Sequence, residues 1–269
     1  MTDNLLALAR RTSNDAVAVR DHLKEAETLF AAEERKTRER RASRETREIN
    51  LIFALDATWS RQHFWEISKD IQASMFSTAA RIRGRFATQL VYYSGLTQNG
   101  TVASSPWYNH ALALDEEMQK VSCQAGTTQI GKVFRHAIAE NRKRKINALV
   151  LVADACEEYE EDLLPLAREL KENNISFFLF DDTKGSATPQ EDTPAIFEHV
   201  AQAADGKRVE FYIENIHILG EYLTGVIAAS TGDLESVEIA KQNARTPEGR
   251  NFAAEMARRI KTALPALKS

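Results

Sequence analysis

In Asp56-Ala57-Thr58-Trp59-Ser60 a carboxylate and two hydroxyls stand at alternate positions. Far downstream a second acid, Asp154, lies between Ala153 and Ala155, and between these two places runs Gly126-Thr127-Thr128-Gln129-Ile130-Gly131, with a pair of hydroxyls. Carboxylate and hydroxyl oxygens are hard donors. Two acids and three or more hydroxyls suit Mg²⁺ best, Mn²⁺ or Ca²⁺ next, and offer nothing to a thiolate-seeking metal. Cys123 and Cys156 have no metal-ligand spacing and read as small buried hydrophobes. The histidines at 22, 63, 110, 136, 199 and 217 fit no ligand pattern either. The Gly126–Gly131 stretch is no phosphate loop, because Gly131-Lys132 is followed by Val133 and not by Ser or Thr.

These residues can act together only if the chain brings three loops to one place. Ile49–Leu55 reads as a buried strand that ends on Asp56. Asn147–Ala153 is a continuous apolar run of the kind buried on both faces of a parallel sheet, and it ends on Asp154. A helix predicted over Gln129–Arg144 starts just after the paired threonines. Further strands are expected at Phe86–Ser94, Gly100–Ser104 (a short edge strand), Ile175–Phe180 and Val209–Ile213. Further helices are expected at Arg61–Arg83, Trp107–Val121, Glu157–Asn173 and Pro194–Ala204. Such alternation means βαβ crossovers, hence an α/β, Rossmann-like, mainly parallel central sheet with helices on both faces. Ligands of open α/β sheets gather at the carboxyl ends of the strands, where all three loops would meet.

In order, spacing and context the three segments resemble the von Willebrand factor type A (VWA) family, whose metal-ion-dependent adhesion site reads Asp-x-Ser-x-Ser, a distant Thr and a distant Asp. The resemblance runs from about Ile49 to Ile213 and includes Phe197–Gly206, which looks like the family's last helix before its final strand. It implies a metal set of Asp56, Thr58, Ser60, Thr128 and Asp154, with Thr128 selected by its distance to Gly131. It also implies a division of labour. Thr58, Ser60 and, in one state of the loops, Thr128 would touch the cation through hydroxyls, Asp56 and Asp154 would hold it largely through water, and an open position would take an acidic side chain of a protein partner. That is binding and not turnover. Thr127 stands where the family has a second glycine and Ala155 where it has a glycine after the acid, so a loop needing positive φ would be distorted and the site vestigial.

The resemblance implies domains at 49–214, with an N-terminal helical extension over 1–48 and a helical region over 215–269. The N-terminal stretch places Leu5, Ala9, Ala16, Val19, Leu23, Ala26 and Phe30 on one stripe. From Glu33 to Glu48 seven bases and five acids leave a net +2, which reads as a solvated helix laced with ion pairs and not as a nucleic-acid arm. Terminal helices of this kind allow a homo-oligomer. The C-terminal region is expected to break at Thr231-Gly232-Asp233 and near Thr246–Gly249. The 269 residues, 43% hydrophobic and 28% charged with a net charge of -4, give no global pull toward nucleic acid or an anionic membrane. No apolar run approaches the roughly 20 residues a span needs, and the opening residues lack the order of a secretory signal, so a cytoplasmic setting is expected. Intracellular bacterial VWA proteins often serve AAA+ ATPases or other assemblies, so the resemblance allows a protein partner of that class.

Two rival readings stand beside this one. One is a metal-assisted phosphatase or hydrolase with Asp56 as nucleophile. The other is a self-assembling structural subunit whose metal site is vestigial. Trp59 is either an exposed contact anchor or a plug on the sheet top. The acids in Glu157–Asp162, five in six positions, are expected to meet the positive end of their own helix.

Overall fold

The computed structural model describes residues 48–58, 85–94, 101–124, 126–186, 190–212 and 215–266. The expected helices over 1–48 and Arg61–Arg83, together with Trp59 and Ser60, lie outside these residues, apart from Glu48, where the first strand begins.

Six strands form one sheet: β1 (Glu48–Asp56), β2 (Arg85–Ser94), β3 (Thr101–Tyr108), β4 (Ala148–Ala153), β5 (Ser176–Asp181) and β6 (Lys207–Glu210). Their spatial order is β3-β2-β1-β4-β5-β6, and every neighbouring pair is parallel except β2 with β3. Among the described residues seven helices accompany them: α1 (Ala111–Lys120), α2 (Ile130–Asn141), α3 (Glu160–Glu172), α4 (Thr193–Ala203), α5 (Ile216–Ser230), α6 (Leu234–Asn243) and α7 (Pro247–Ala266). This is the Rossmann-like α/β architecture expected from the alternation of elements.

Side chains alternate between the two faces with the period of a strand. Leu51, Phe53 and Leu55 of β1 join Val150 and Val152 of β4 in a core shared with Leu114 of α1, Leu219, Leu223 and Val226 of α5, and Phe252 and Met256 of α7. Ile52 and Ala54 join Leu149, Leu151, Phe177 and Leu179 in a second core under Phe134 of α2, Leu163 and Ala167 of α3, and Phe197 and Val200 of α4. β1 and β4 are covered on both sides, so β4 is apolar throughout and β1 is apolar from Leu51 to Leu55. The helices beyond Asn215 are thus built into the core of the sheet. Phe252 lies 5.0 Å from the Tyr222 ring and 6.3 Å from the Phe180 ring, centroid to centroid.

The sequence reading errs at the border strand. β3 runs to Tyr108, and the helix expected from Trp107 starts only at Ala111. Pro106 is tolerated there because an outer strand has N–H positions that nothing needs. The register of β2 and β3 slips between Gln89 and Val91, and Ser105 repairs the gap. Its hydroxyl accepts the Leu90 N–H at 3.0 Å, and its carbonyl accepts the Gln89 side-chain amide at 2.9 Å. Trp107 and Tyr108 then satisfy the strand preference of aromatic side chains, and His110 caps α1 by accepting the Ala113 N–H.

Truncating Phe252 to Ala should cost about 3–5 kcal/mol, the usual loss for a buried aromatic. Urea unfolding of full-length wild type and F252A measures it, and a loss below about 1 kcal/mol would mean that α7 is not part of the core.

Candidate metal centre at the carboxyl edge of the sheet

β1 and β4 lie side by side, with Leu55 opposite Val152, so the residues that follow them leave the sheet together. Asp56 closes β1 and is 1% exposed. Its Oδ1 accepts the Thr58 N–H at 2.6 Å, a tight turn that fixes the direction of the outgoing loop. That loop is held on both sides: Ala57 donates its N–H to the Tyr93 carbonyl, and the Ala57 carbonyl accepts the Gln124 N–H. Thr58 is buried and forms a parallel bridge with Gln124. Asp154 follows β4 directly and is 2% exposed, and its Oδ1 has no hydrogen-bond partner.

Thr128 is buried just before α2 and is tied to the loop after β4 by two reciprocal bonds. Its N–H donates to the Glu157 carboxylate at 2.8 Å, and its hydroxyl accepts the Glu157 N–H at 3.0 Å. A hydroxyl that accepts one bond still has a second lone pair and its own proton to offer. Asp56, Thr58, Thr128 and Asp154 therefore all stand at the carboxyl edge of the central strands, and Ser60 falls outside the described residues. Neither Thr127 nor Ala155 takes a positive φ. Among the described non-glycine residues only Asn174 and Asp205 do. The two lost glycines therefore leave no left-handed strain in these loops.

Glu157 and Glu158 are not where the sequence reading puts them. The first turn of α3 contains Glu160, Glu161 and Asp162, whereas Glu157 and Glu158 turn away to the start of α2. Glu158 accepts the N–H groups of Ile130 and Gly131, the latter at 3.0 Å. The reason is local. Gln129 precedes α2 without capping it, so the free N–H groups and the positive end of that helix draw acids from a neighbouring loop. Burial nevertheless pushes the Glu158 carboxyl above the ordinary carboxylate range, outweighing the two N–H bonds and Arg135 that pull it down.

Tyr93, the penultimate residue of β2, is a site residue that sequence reasoning misses. It is fully buried, and its hydroxyl has no hydrogen-bond partner. Burial, followed by the negative charges of Asp56, Asp154 and Glu158, drives its phenol well above its usual range. The period-2 pattern shows that Tyr93 points inward, but only the pairing of Tyr93 with Asp56 places it beside the acids. Cys156, also nearby, is buried and its thiol is pushed up to about 12, so it stays protonated and inert.

A comparison within the sheet sharpens the case of Asp154. At the end of β5, Asp181-Asp182-Thr183 repeats the turn of Asp56-Ala57-Thr58, with the Asp181 Oδ1 accepting the Thr183 N–H at 2.8 Å. The charge of Asp181 is matched by the Arg208 guanidinium at 2.6 Å. Among the described residues no such cation lies against Asp154. Nor does any group of three or more His, Cys, Asp or Glu side chains stand where it could hold a metal. The set at this edge is of another kind, two buried carboxylates with hydroxyls. An unmatched buried carboxylate oxygen in that set fits a small hard cation.

No family model matches the sequence, and no curated protein matches it. Solved structures do share its fold. The VWA domain of SpRpn10 matches with a TM-score of 0.50 at 13% identity, over 64% of this chain and 94% of that one. The PilB minor pilin of Streptococcus sanguinis matches with a TM-score of 0.53 at 11% identity, over 69% of this chain and 62% of that one, and its D319A mutant matches at 0.51 and 10%, over 73% and 63%. At such identities the likeness speaks for the fold, and the fold is VWA-like.

The Glu158 cap gives a prediction with a definite sign. The folded state raises this carboxyl's pKa, so its contribution to stability is complete below the unfolded value and drains away as pH rises through the folded one. Glu158→Gln keeps an acceptor that cannot ionise, so this fall should flatten. Glu158→Ala strands two N–H groups and should cost about 1–3 kcal/mol. Urea unfolding between about pH 4 and pH 7 checks both, and parallel pH profiles for wild type and E158Q would refute the assignment.

Proposed function

We propose that this chain is a metal-dependent protein-interaction module. Mg²⁺, or in its place Mn²⁺ or Ca²⁺, would be held at the carboxyl edge by Asp56, Thr58, Ser60, Thr128 and Asp154, and would bind an acidic side chain of a protein partner. The observation that carries this reading is the buried Asp154 carboxylate, whose Oδ1 has no partner and which stands on one rim with Asp56, Thr58 and Thr128. When bound, the cation supplies an electrophilic position open to a carboxylate oxygen. The rest is the work of this chain's own residues. Thr58 N–H orients the Asp56 carboxylate, and the Thr128–Glu157 pair fixes the hydroxyl of Thr128.

A binding role is favoured over phosphate-ester hydrolysis by what occupies the start of α2. A helix N-terminus beside the site would be the natural seat for a phosphate group. Here the Glu157 and Glu158 carboxylates already take the N–H groups of Thr128, Ile130 and Gly131. A transferred phosphoryl group would meet two negative charges instead of free donors. The partner class that the VWA resemblance favours is an AAA+ ATPase or another assembly component in the cytoplasm, with self-association through the terminal helices as a second mode. Among the described residues no helix is long and apolar enough to cross a membrane.

Mg²⁺ or Mn²⁺ at about a hundred times its dissociation constant should stabilise the full chain by about 2.7 kcal/mol, and Asp56→Ala or Thr128→Ala should abolish that gain whatever it does to baseline stability. Thermal unfolding with metal and with EDTA reads the effect, and curves indifferent to both would refute the reading. Affinity capture from native lysate in Mg²⁺ and again in EDTA then identifies the partner as the protein lost only in EDTA.

A further inference from the structure

The metal reading explains Asp56, Thr58, Thr128 and Asp154 but leaves Tyr93 unused. This residue is bound to the site through the backbone, since its Cα pairs with that of Asp56 and its carbonyl accepts the Ala57 N–H at 2.9 Å. It belongs to the same buried core as Ile52, Ala54, Val91 and Ile130, on the side of the sheet covered by α2. A phenylalanine would fill that space equally well. Instead the chain buries a hydroxyl completely and gives it no hydrogen-bond partner among the described residues. Buried hydroxyls are almost always satisfied, and an unsatisfied one is destabilising.

A second unsatisfied atom lies in the same neighbourhood. The Asp154 Oδ1 is buried and without a partner, and the strand register, with Tyr93 opposite Asp56 and Leu55 opposite Val152, brings the ends of β2, β1 and β4 to the same edge. One orphan can donate and the other only accepts, yet they are not bonded to each other. A water between them would serve both. A water bound to a cation is a strong donor. It can donate one hydrogen bond to a carboxylate and another to a phenol oxygen, while the phenol O–H donates to a second acceptor.

We propose that Tyr93 is a positioning residue of the cation site, its hydroxyl hydrogen-bonding the water shell through which Asp56 and Asp154 hold the ion. The proposal rests on the metal reading above, and adds to the set a neutral group from the neighbouring strand. Tyr93 does not touch the partner. It orients the water that the two acids share, as groups behind the ligands of other metal sites do, where their removal weakens affinity by about 10–100-fold.

The test uses the full chain and Mn²⁺ alone, with binding followed by the loss of the free-ion paramagnetic resonance signal and stability followed by thermal unfolding in EDTA. Tyr93→Phe should weaken Mn²⁺ binding about tenfold, while its unfolding midpoint in EDTA stays level or rises because an unsatisfied hydroxyl has gone. Mg²⁺ should perturb the near-ultraviolet tyrosine spectrum of wild type, and Y93F should lose that difference band. In the double variant with Asp154→Asn the loss of affinity should be smaller than the product of the single losses, because both act through one water shell. Equal Mn²⁺ affinity in wild type and Y93F overturns the proposal, and so does a Y93F that loses stability in EDTA but binds Mn²⁺ normally, which marks a packing role. Wild type that binds no Mn²⁺ overturns the metal centre itself, and the wild-type titration alone reveals that outcome.

Discussion

A carboxylate carried below the surface needs a counter-charge or a full complement of donors, because water no longer supplies them. The carboxyl edge of this sheet meets that demand in different ways. Asp181 takes the Arg208 guanidinium, and Glu158 takes the bare N–H groups at the start of α2. Asp154 is left with an unmet oxygen, and the hydroxyl of Tyr93 at the same edge is unmet as well. The rest of the structure follows from carrying these acids so deep. The stretches that lead to them, Leu51–Leu55 of β1 and the whole of β4, are apolar on both faces, as buried parallel strands are.

How much of this is legible in the sequence depends on the range of the interaction that decides each feature. The uninterrupted apolar run of Ala148–Ala153 announces a central strand by itself, and an acid directly after it announces a strand tip. Asp56, Thr58, Thr128 and Asp154 are legible because they sit next to such punctuation. The roles of Glu157 and Glu158 are not. Next to a helix of their own they look like its first turn, and only the approach of an uncapped neighbouring helix redirects them. Tyr93 shows a related limit: periodicity gives the direction of its side chain but not what its hydroxyl faces. At Ser105–Tyr108 the local preferences for strand and helix start nearly balance, and pairing with β2 settles the matter.

The two positions at which this chain lacks the glycines of the VWA motif are instructive in the same way. Thr127 and Ala155 adopt ordinary backbone angles, and the loops they belong to are joined by the Thr128–Glu157 pair. Two hydrogen bonds between Thr128 and Glu157 clasp these loops to each other. Glu157, a residue that the motif does not include, is thereby one of the ties that hold the rim.

The C-terminal helices impose an order of events on biosynthesis. Strands β1 to β6 are complete once Glu210 has been added, yet the part of their shared surface that Leu219, Leu223, Val226, Phe252 and Met256 cover stays bare until the ribosome has released a further fifth of the chain. During that interval the nascent sheet presents a wet row of Leu51, Phe53 and Leu55, the sort of surface that recruits chaperones or sticks to another unfinished copy. Premature termination before α5 would make that transient exposure permanent.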